Sequence, residues 1–203
     1  SGRSRLVEEL RLSPGRIRVI PHPVFPSRVR REDDGRTVLF LGVIRPYKQI
    51  DHAIGAAREA GCRLLVVGDP VVELGSRLGL PHVEWRLGYR PHAEIDDALA
   101  ESTLAIFTHR NELDQSGALL RALGAGVPAV AYDVGGIAEP VRTYGAGAVV
   151  PADDREALAA AIERILTRPR ELARARAGAL RAREELNWAA AARAHLDVYG
   201  ELV

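Results

Sequence analysis

The sequence predicts a doubly wound α/β fold, a parallel sheet with helices on both faces. Three observations carry this. Short apolar, β-branched runs alternate with stretches of helical periodicity along most of the chain. Runs such as Val38-Leu39-Phe40-Leu41 and Leu64-Leu65-Val66-Val67 are continuous rather than alternating, which suits strands covered on both sides. Glycine follows these runs repeatedly, at Gly42, Gly68, Gly88 and Gly135-Gly136, where a tight turn or a closely approaching ligand needs a residue without a side chain.

In chain order, Arg3 to Leu12 has a helical pattern and leads through Ser13-Pro14-Gly15 into a first expected strand, Ile17 to Ile20, and then Pro21-His22-Pro23. Six further strands are expected at Thr37 to Gly42, Arg63 to Gly68, His82 to Arg86, Thr103 to Thr108, Val127 to Tyr132 and Gly147 to Val150. Apolar residues at helical spacing between them, such as Ile50, Ile54 and Ala57, or Ile95, Leu99 and Leu104, mark the crossovers. Asp153 to Leu166, Glu171 to Leu186 and Trp188 to Val203 read as three consecutive helices, broken at Pro169 and at Asn187-Trp188.

Composition narrows the function. At 203 residues, 47% hydrophobic and 27% charged, the chain supports one hydrophobic core. A net charge of +1 argues against a dedicated nucleic-acid binder. No apolar run approaches the roughly 18 residues of a membrane span, and the polar start lacks a signal-peptide core. The single Cys62 excludes an internal disulfide and a cysteine-built zinc site, so a cytoplasmic location is expected. The six histidines are scattered singly, mostly on loops, without metal spacing, and no metal or cofactor is expected. The P-loop, nucleophile-elbow and dinucleotide fingerprints are missing. Of 28 basic residues only Lys48 is lysine.

Ligands of doubly wound sheets bind outside the carboxyl ends of the strands, so three loops are candidates. Gly42-Val43-Ile44-Arg45-Pro46-Tyr47-Lys48 brings a guanidinium and an ammonium to one strand end, a pair suited to two phosphates, or equally a surface pair in water. Asp114-Gln115-Ser116-Gly117 opens a helix; Ser116 is a natural N-cap, and the terminus either binds phosphate or is merely capped. Asp133-Val134-Gly135-Gly136-Ile137-Ala138-Glu139 lets a helix start lie close to a ligand, or is a bare turn. The cluster Arg168, Arg170, Arg174, Arg176, Arg181 and Arg183 reads as a solvated helix face, or as weak peripheral contact with anionic lipid.

The order of these pieces resembles the C-terminal domain of the group 1 glycosyltransferases, retaining enzymes with the two-domain GT-B fold, whose donor half is a Rossmann-like sheet. Arg18-Val19-Ile20-Pro21-His22-Pro23-Val24 resembles the family's linker strand, Leu39 to Lys48 its phosphate loop, and Val83 to Tyr89 the strand and loop near the nucleotide base. Gly117 to Pro128 and Val130 to Gly136 with Glu139 resemble its helix, strand and GG-x-x-E turn, and Asn187-Trp188 with Tyr199 its closing helix. The resemblance implies a linker in residues 1–20, a nucleotide-sugar-binding domain in 21–186 and a closing helix in 187–203. It implies transfer of a sugar from a nucleotide diphosphate sugar, with the acceptor held by an N-terminal domain that the chain lacks and little activity without it. Lys48 and Arg45 would stabilise the departing diphosphate, with Gly42, Ser116 and Gly117 around it, Tyr89 and Arg90 at the base, and Glu112, Asp114, Gln115, Gly135, Gly136 and Glu139 at the sugar. There are departures. Val43 stands where the family usually has an arginine, and the two carboxylates of its E-x7-E pair fall on Leu113 and Arg121. A non-catalytic binding or scaffold module, or another GT-B enzyme such as a nucleotide-sugar epimerase, are the alternatives.

Overall fold

The computed structural model describes residues 2–27, 30–110 and 115–201. Six strands form one sheet: β1 (Thr37–Leu41), β2 (Arg63–Gly68), β3 (Val83–Leu87), β4 (Leu104–Phe107), β5 (Ala129–Tyr132) and β6 (Gly147–Val150). Their order is β3-β2-β1-β4-β5-β6 and every neighbouring pair is parallel. The helices are α1 (Gly2–Leu10), α2 (Ile50–Glu59), α3 (His92–Glu101), α4 (Gly117–Gly124), α5 (Gly135–Tyr144), α6 (Arg155–Thr167), α7 (Pro169–Glu185) and α8 (Trp188–Gly200). The doubly wound fold expected from the sequence is the fold observed.

Strand pleating divides the core between the two faces. Val38, Phe40, Leu64, Val66, Ile106 and Val130 pack with Ile54 of α2 and Ile162 of α6. Their sequence neighbours Leu39, Leu41, Leu65, Val67, Ala105 and Phe107 pack on the other face with Leu99, Leu123 and Ile137 from α3, α4 and α5, and Ala179 of α7. Every residue of β1, β4 and β5 is buried, which is why those runs show no polar alternation.

Two expectations are corrected. Ile17 to Ile20 is not a strand: Ile17 is extended (φ −112°, ψ 119°), but among the described residues the segment pairs with no strand. Extended propensity gives a ladder only beside a free sheet edge, and this segment leads away toward the helices instead. Val24 N–H donates to Leu186 C=O at the end of α7 (2.8 Å), and the Phe25 carbonyl lies so close to α4 that a Cβ on Gly124 would come within 2.0 Å of it. Leu104 is not helical. Ser102 turns extended (φ −90°, ψ 134°) and ends α3, Thr103 N–H donates to Thr37 C=O (2.8 Å), and Leu104 pairs with Val38. The breaks further on are as expected: Pro169 is the first residue of α7, and Asn187 caps α8 by accepting from Ala190 N–H (2.8 Å).

The chain leaves β1 toward β2 on one side and returns to β4 on the other. The crevice where connections diverge lies at the carboxyl ends of β1 and β4, the general ligand position in such sheets.

Candidate functional site

The loop after β1 is built to turn a lysine back over the strand end. Ile44 anchors it: fully buried, it donates to Asp69 C=O (2.8 Å) and accepts from Val71 N–H (3.1 Å), extending the β1–β2 pairing. Pro46 opens a single 3₁₀ turn, Pro46–Lys48, and Gln49 then takes a left-handed conformation (φ 45°, ψ 59°) that redirects the chain into α2. Gly42 has φ 97°, and a Cβ there would lie 3.0 Å from Lys48 Nζ and 3.8 Å from Ala118 Cβ. The ammonium therefore sits over Gly42 beside the first turn of α4, and glycine is required both for the backbone angle and for that space.

Lys48 is 8% exposed, and no described residue pairs its ammonium with a carboxylate. Burial, reinforced by Arg45, pulls its pKa down to about 8. It is still mostly protonated at pH 7, a buried cation without a carboxylate partner among the described residues. Arg45 stands exposed at the start of the turn, and Val43 is exposed as well.

The end of β4 clamps this loop. Thr108 Oγ1 donates to Lys48 C=O, and Arg110 N–H donates to Tyr47 C=O (2.8 Å). His109, 3% exposed, lies between the rings of Phe107 (6.2 Å) and Tyr47 (5.8 Å), and its Nδ1 has no hydrogen-bond partner among the described residues. Burial and the nearby Lys48 push its pKa down to about 4, so it is neutral at physiological pH. In the sequence His109 is one of six scattered histidines. Its position directly after an apolar strand at the crevice was the available signal.

α4 completes the cradle. Ser116 Oγ accepts from Leu119 N–H (3.3 Å), while Gly117 and Ala118 N–H have no acceptor within the helix. The cap thus engages neither of these first two donors, and the positive end of the helix dipole lies at this terminus. Glu112 and Asp114, like Leu113, lie outside the described residues. Gln115 and Ser116 share a cavity of about 130 Å³ with Gly136 and Glu139 of α5, and most of the rest of its lining, such as Val19, Pro21, Leu120 and Leu186, is apolar. Gly135 opens α5 next to it.

Other expected contacts are placed elsewhere. Tyr89, 86% exposed after β3, offers a free ring, but Arg90 is turned inward to Leu87 C=O and to Glu94 (3.1 Å). Both lie two strands from β1. Arg121 points to α3, pairing with Asp96 and His92 C=O at 3.4 Å each. Within the arginine cluster of α7, Arg176 binds Asp33 (2.7 Å) and Arg181 binds Tyr144 C=O (2.7 Å), so these two serve packing rather than a surface. Among the described residues no three His, Cys, Asp or Glu side chains form a metal cluster, and no helix is long and apolar enough to cross a membrane.

Fold and site together define a doubly wound α/β unit with a cationic, helix-capped crevice at its switch point. The family model for glycosyl transferases group 1 matches residues 35–168, and the chain belongs to that family. It is 35% identical to an exopolysaccharide phosphotransferase of Streptomyces coelicolor over 79% of this chain and 18% of that protein. It is 29% identical to a D-inositol 3-phosphate glycosyltransferase of Thermobispora bispora over 91% of this chain and 47% of that protein. The chain therefore spans less than half of either curated relative. Among solved structures it shares the fold of a sucrose-phosphate synthase of Thermosynechococcus elongatus (TM-score 0.77, 24% identity, 100% of this chain and 57% of that one). It also shares the fold of Anabaena HepE, solved in complex with UDP (TM-score 0.65, 21% identity, 83% and 49%).

Proposed function

We propose that this chain is the donor-binding half of a retaining glycosyltransferase, holding a nucleotide diphosphate sugar while a second domain presents the acceptor. The observation that carries the reading is the chain's only lysine, buried over Gly42 at the start of α4 without a carboxylate partner among the described residues. A buried unpaired ammonium is costly unless a ligand anion completes it. The diphosphate fills that place, with Lys48 on one side, Gly117 and Ala118 N–H on the other, and the exposed Arg45 at the mouth.

As the bond from anomeric carbon to phosphate oxygen breaks, negative charge grows on the diphosphate. Lys48, Arg45 and the α4 terminus stabilise it more in the transition state than in the ground state, which is electrostatic catalysis without a side-chain nucleophile. The cavity lined in part by Gln115, Ser116, Gly136 and Glu139 meets the cradle at Ser116 and takes the sugar, and the exposed ring of Tyr89 is available to the base. One observation favours a second reading, a binding module without turnover: Arg121 is committed to Asp96 and offers a ribose diol no acceptor.

The test is calorimetric titration with UDP, GDP, ADP and dTDP, repeated on Lys48→Ala and Arg45→Ala. One diphosphate binding in roughly the micromolar to millimolar range, and weakened by both substitutions, supports the reading. A folded chain that binds none of the four refutes it. Sugar transfer on adding the acceptor domain separates the enzyme from the module.

A further inference from the structure

The turn that presents Lys48 is held from a distant part of the chain. Gln49 adopts left-handed backbone angles, uncommon for a residue other than Gly, Asn or Asp, and this bend turns the chain into α2 directly after Lys48, whose ammonium lies over Gly42. The Gln49 side chain donates through Nε2 to Asp153 Oδ1 (2.6 Å), 104 positions away, while its Oε1 is buried without a hydrogen-bond partner among the described residues. Asp153 lies in the loop between β6 and α6 and is itself left-handed (φ 61°). Its other oxygen faces Arg110 Nε (3.8 Å), the residue whose N–H holds Tyr47 C=O. One carboxylate thus reaches both sides of the lysine turn.

We propose that Asp153 is a positioning residue for Lys48: it fixes Gln49 in the left-handed bend and so holds the ammonium at the diphosphate subsite without touching the ligand. The inference rests on reading Lys48 as the donor-phosphate lysine. Asp153 is not needed to begin α6, because its neighbour Asp154 caps that helix by accepting from Ala157 N–H (2.8 Å). Nor does its half-exposed pair with Arg110 add much stability. What remains is its hold on the turn.

Because Lys48 is the only lysine, ¹³Cε-lysine labelling gives one NMR resonance that reports its titration directly. Arg45 and His109 are the described charged or titratable groups facing it, and neither changes in the variants. Asp153→Gly removes the carboxylate while tolerating the positive φ, and Asp153→Asn keeps an acceptor for Gln49. In Asp153→Gly the lysine pKa is expected to rise from about 8 toward 10.5 as the ammonium swings to water. Affinity for whichever of UDP, GDP, ADP and dTDP binds best falls about tenfold, within the range for groups coupled through a shared neighbour. Asp153→Asn stays near wild type in both. In a Gln49→Gly background, where left-handed backbone needs no side-chain hold, Asp153→Gly has no further effect.

An unchanged lysine pKa in Asp153→Gly overturns the proposal, as does a full effect in the Gln49→Gly background. If no diphosphate binds even the wild-type chain, the functional reading fails while the lysine resonance still decides the positioning. If diphosphate binds, Lys48→Ala abolishes it and Asp153→Gly leaves it untouched, the positioning alone is overturned.

Discussion

Replacing Lys48 by methionine is expected to make the protein more stable while removing the diphosphate binding proposed for it. The buried ammonium has its pKa lowered from 10.5 to about 8, a gap equivalent to roughly 3 kcal/mol between charged and neutral forms. Since the side chain keeps 8% exposure, a relief of about 2–3 kcal/mol is the realistic figure. The sign follows from linkage. Below pH 8 the native state carries the buried charge in full, so the penalty is complete. Between about pH 8 and 10.5 the native lysine has lost its proton while the unfolded one keeps it, and wild-type stability rises with pH. Methionine is close to lysine's stem in shape and carries no charge, so Lys48→Met should gain the full amount at pH 7 and little by pH 10.5. For a chain of this size that is about 5–10 °C in melting temperature. Thermal denaturation at pH 7 and 10.5, followed by circular dichroism, reads both effects. A melting temperature that falls at pH 7, or a gain equally large at pH 10.5, refutes the argument that burial of the Lys48 charge costs stability.

Other outcomes are equally specific. Diphosphate affinity should be flat up to about pH 8 and then fall about tenfold per pH unit as Lys48 loses its proton, with His109 neutral throughout; calorimetry across pH 6.5–9.5 checks this. Gly42→Ala places a methyl 3.0 Å from Lys48 Nζ at φ 97°, so it should lower stability by about 1–3 kcal/mol and weaken diphosphate binding at least tenfold, measured by denaturant melts and titration. Asp154→Ala removes the α6 cap and should cost about 1 kcal/mol in the same melts without altering binding. Tyr132→Phe removes the bond between the fully buried tyrosine and His52 Nδ1 (2.8 Å), at a cost of about 1 kcal/mol, again with binding unchanged.

The strands and crossovers were legible because their signal is local. A run such as Leu104-Ala105-Ile106-Phe107 is apolar throughout since both faces of the sheet are covered, and Asn187 and Pro169 mark helix starts through capping geometry that involves only near neighbours. The same locality misled at Ile17 to Ile20, whose extended preference says nothing about whether a sheet edge is available. At the candidate site, the residue types and loops were readable: Gly42 follows β1, Lys48 lies in the loop before α2, and Ser116 and Gly117 open α4.

By itself the sequence determined the fold class, the succession of strands and helices from Thr37 onward and the loops that are candidates for a site, because periodicity, capping and strand-end glycines act over a few residues. Tertiary structure alone decided that β4 lies beside β1, that Lys48 is buried near α4 within electrostatic reach of His109, and that Gln49 meets Asp153 across 104 positions. It also decided that Arg90 and Arg121 are spent on internal contacts. Those outcomes depend on how helices packed on two faces bring distant loops to one edge. Burial, the lowered lysine pKa and the latch on its turn are properties of that packing, and no local pattern encodes them.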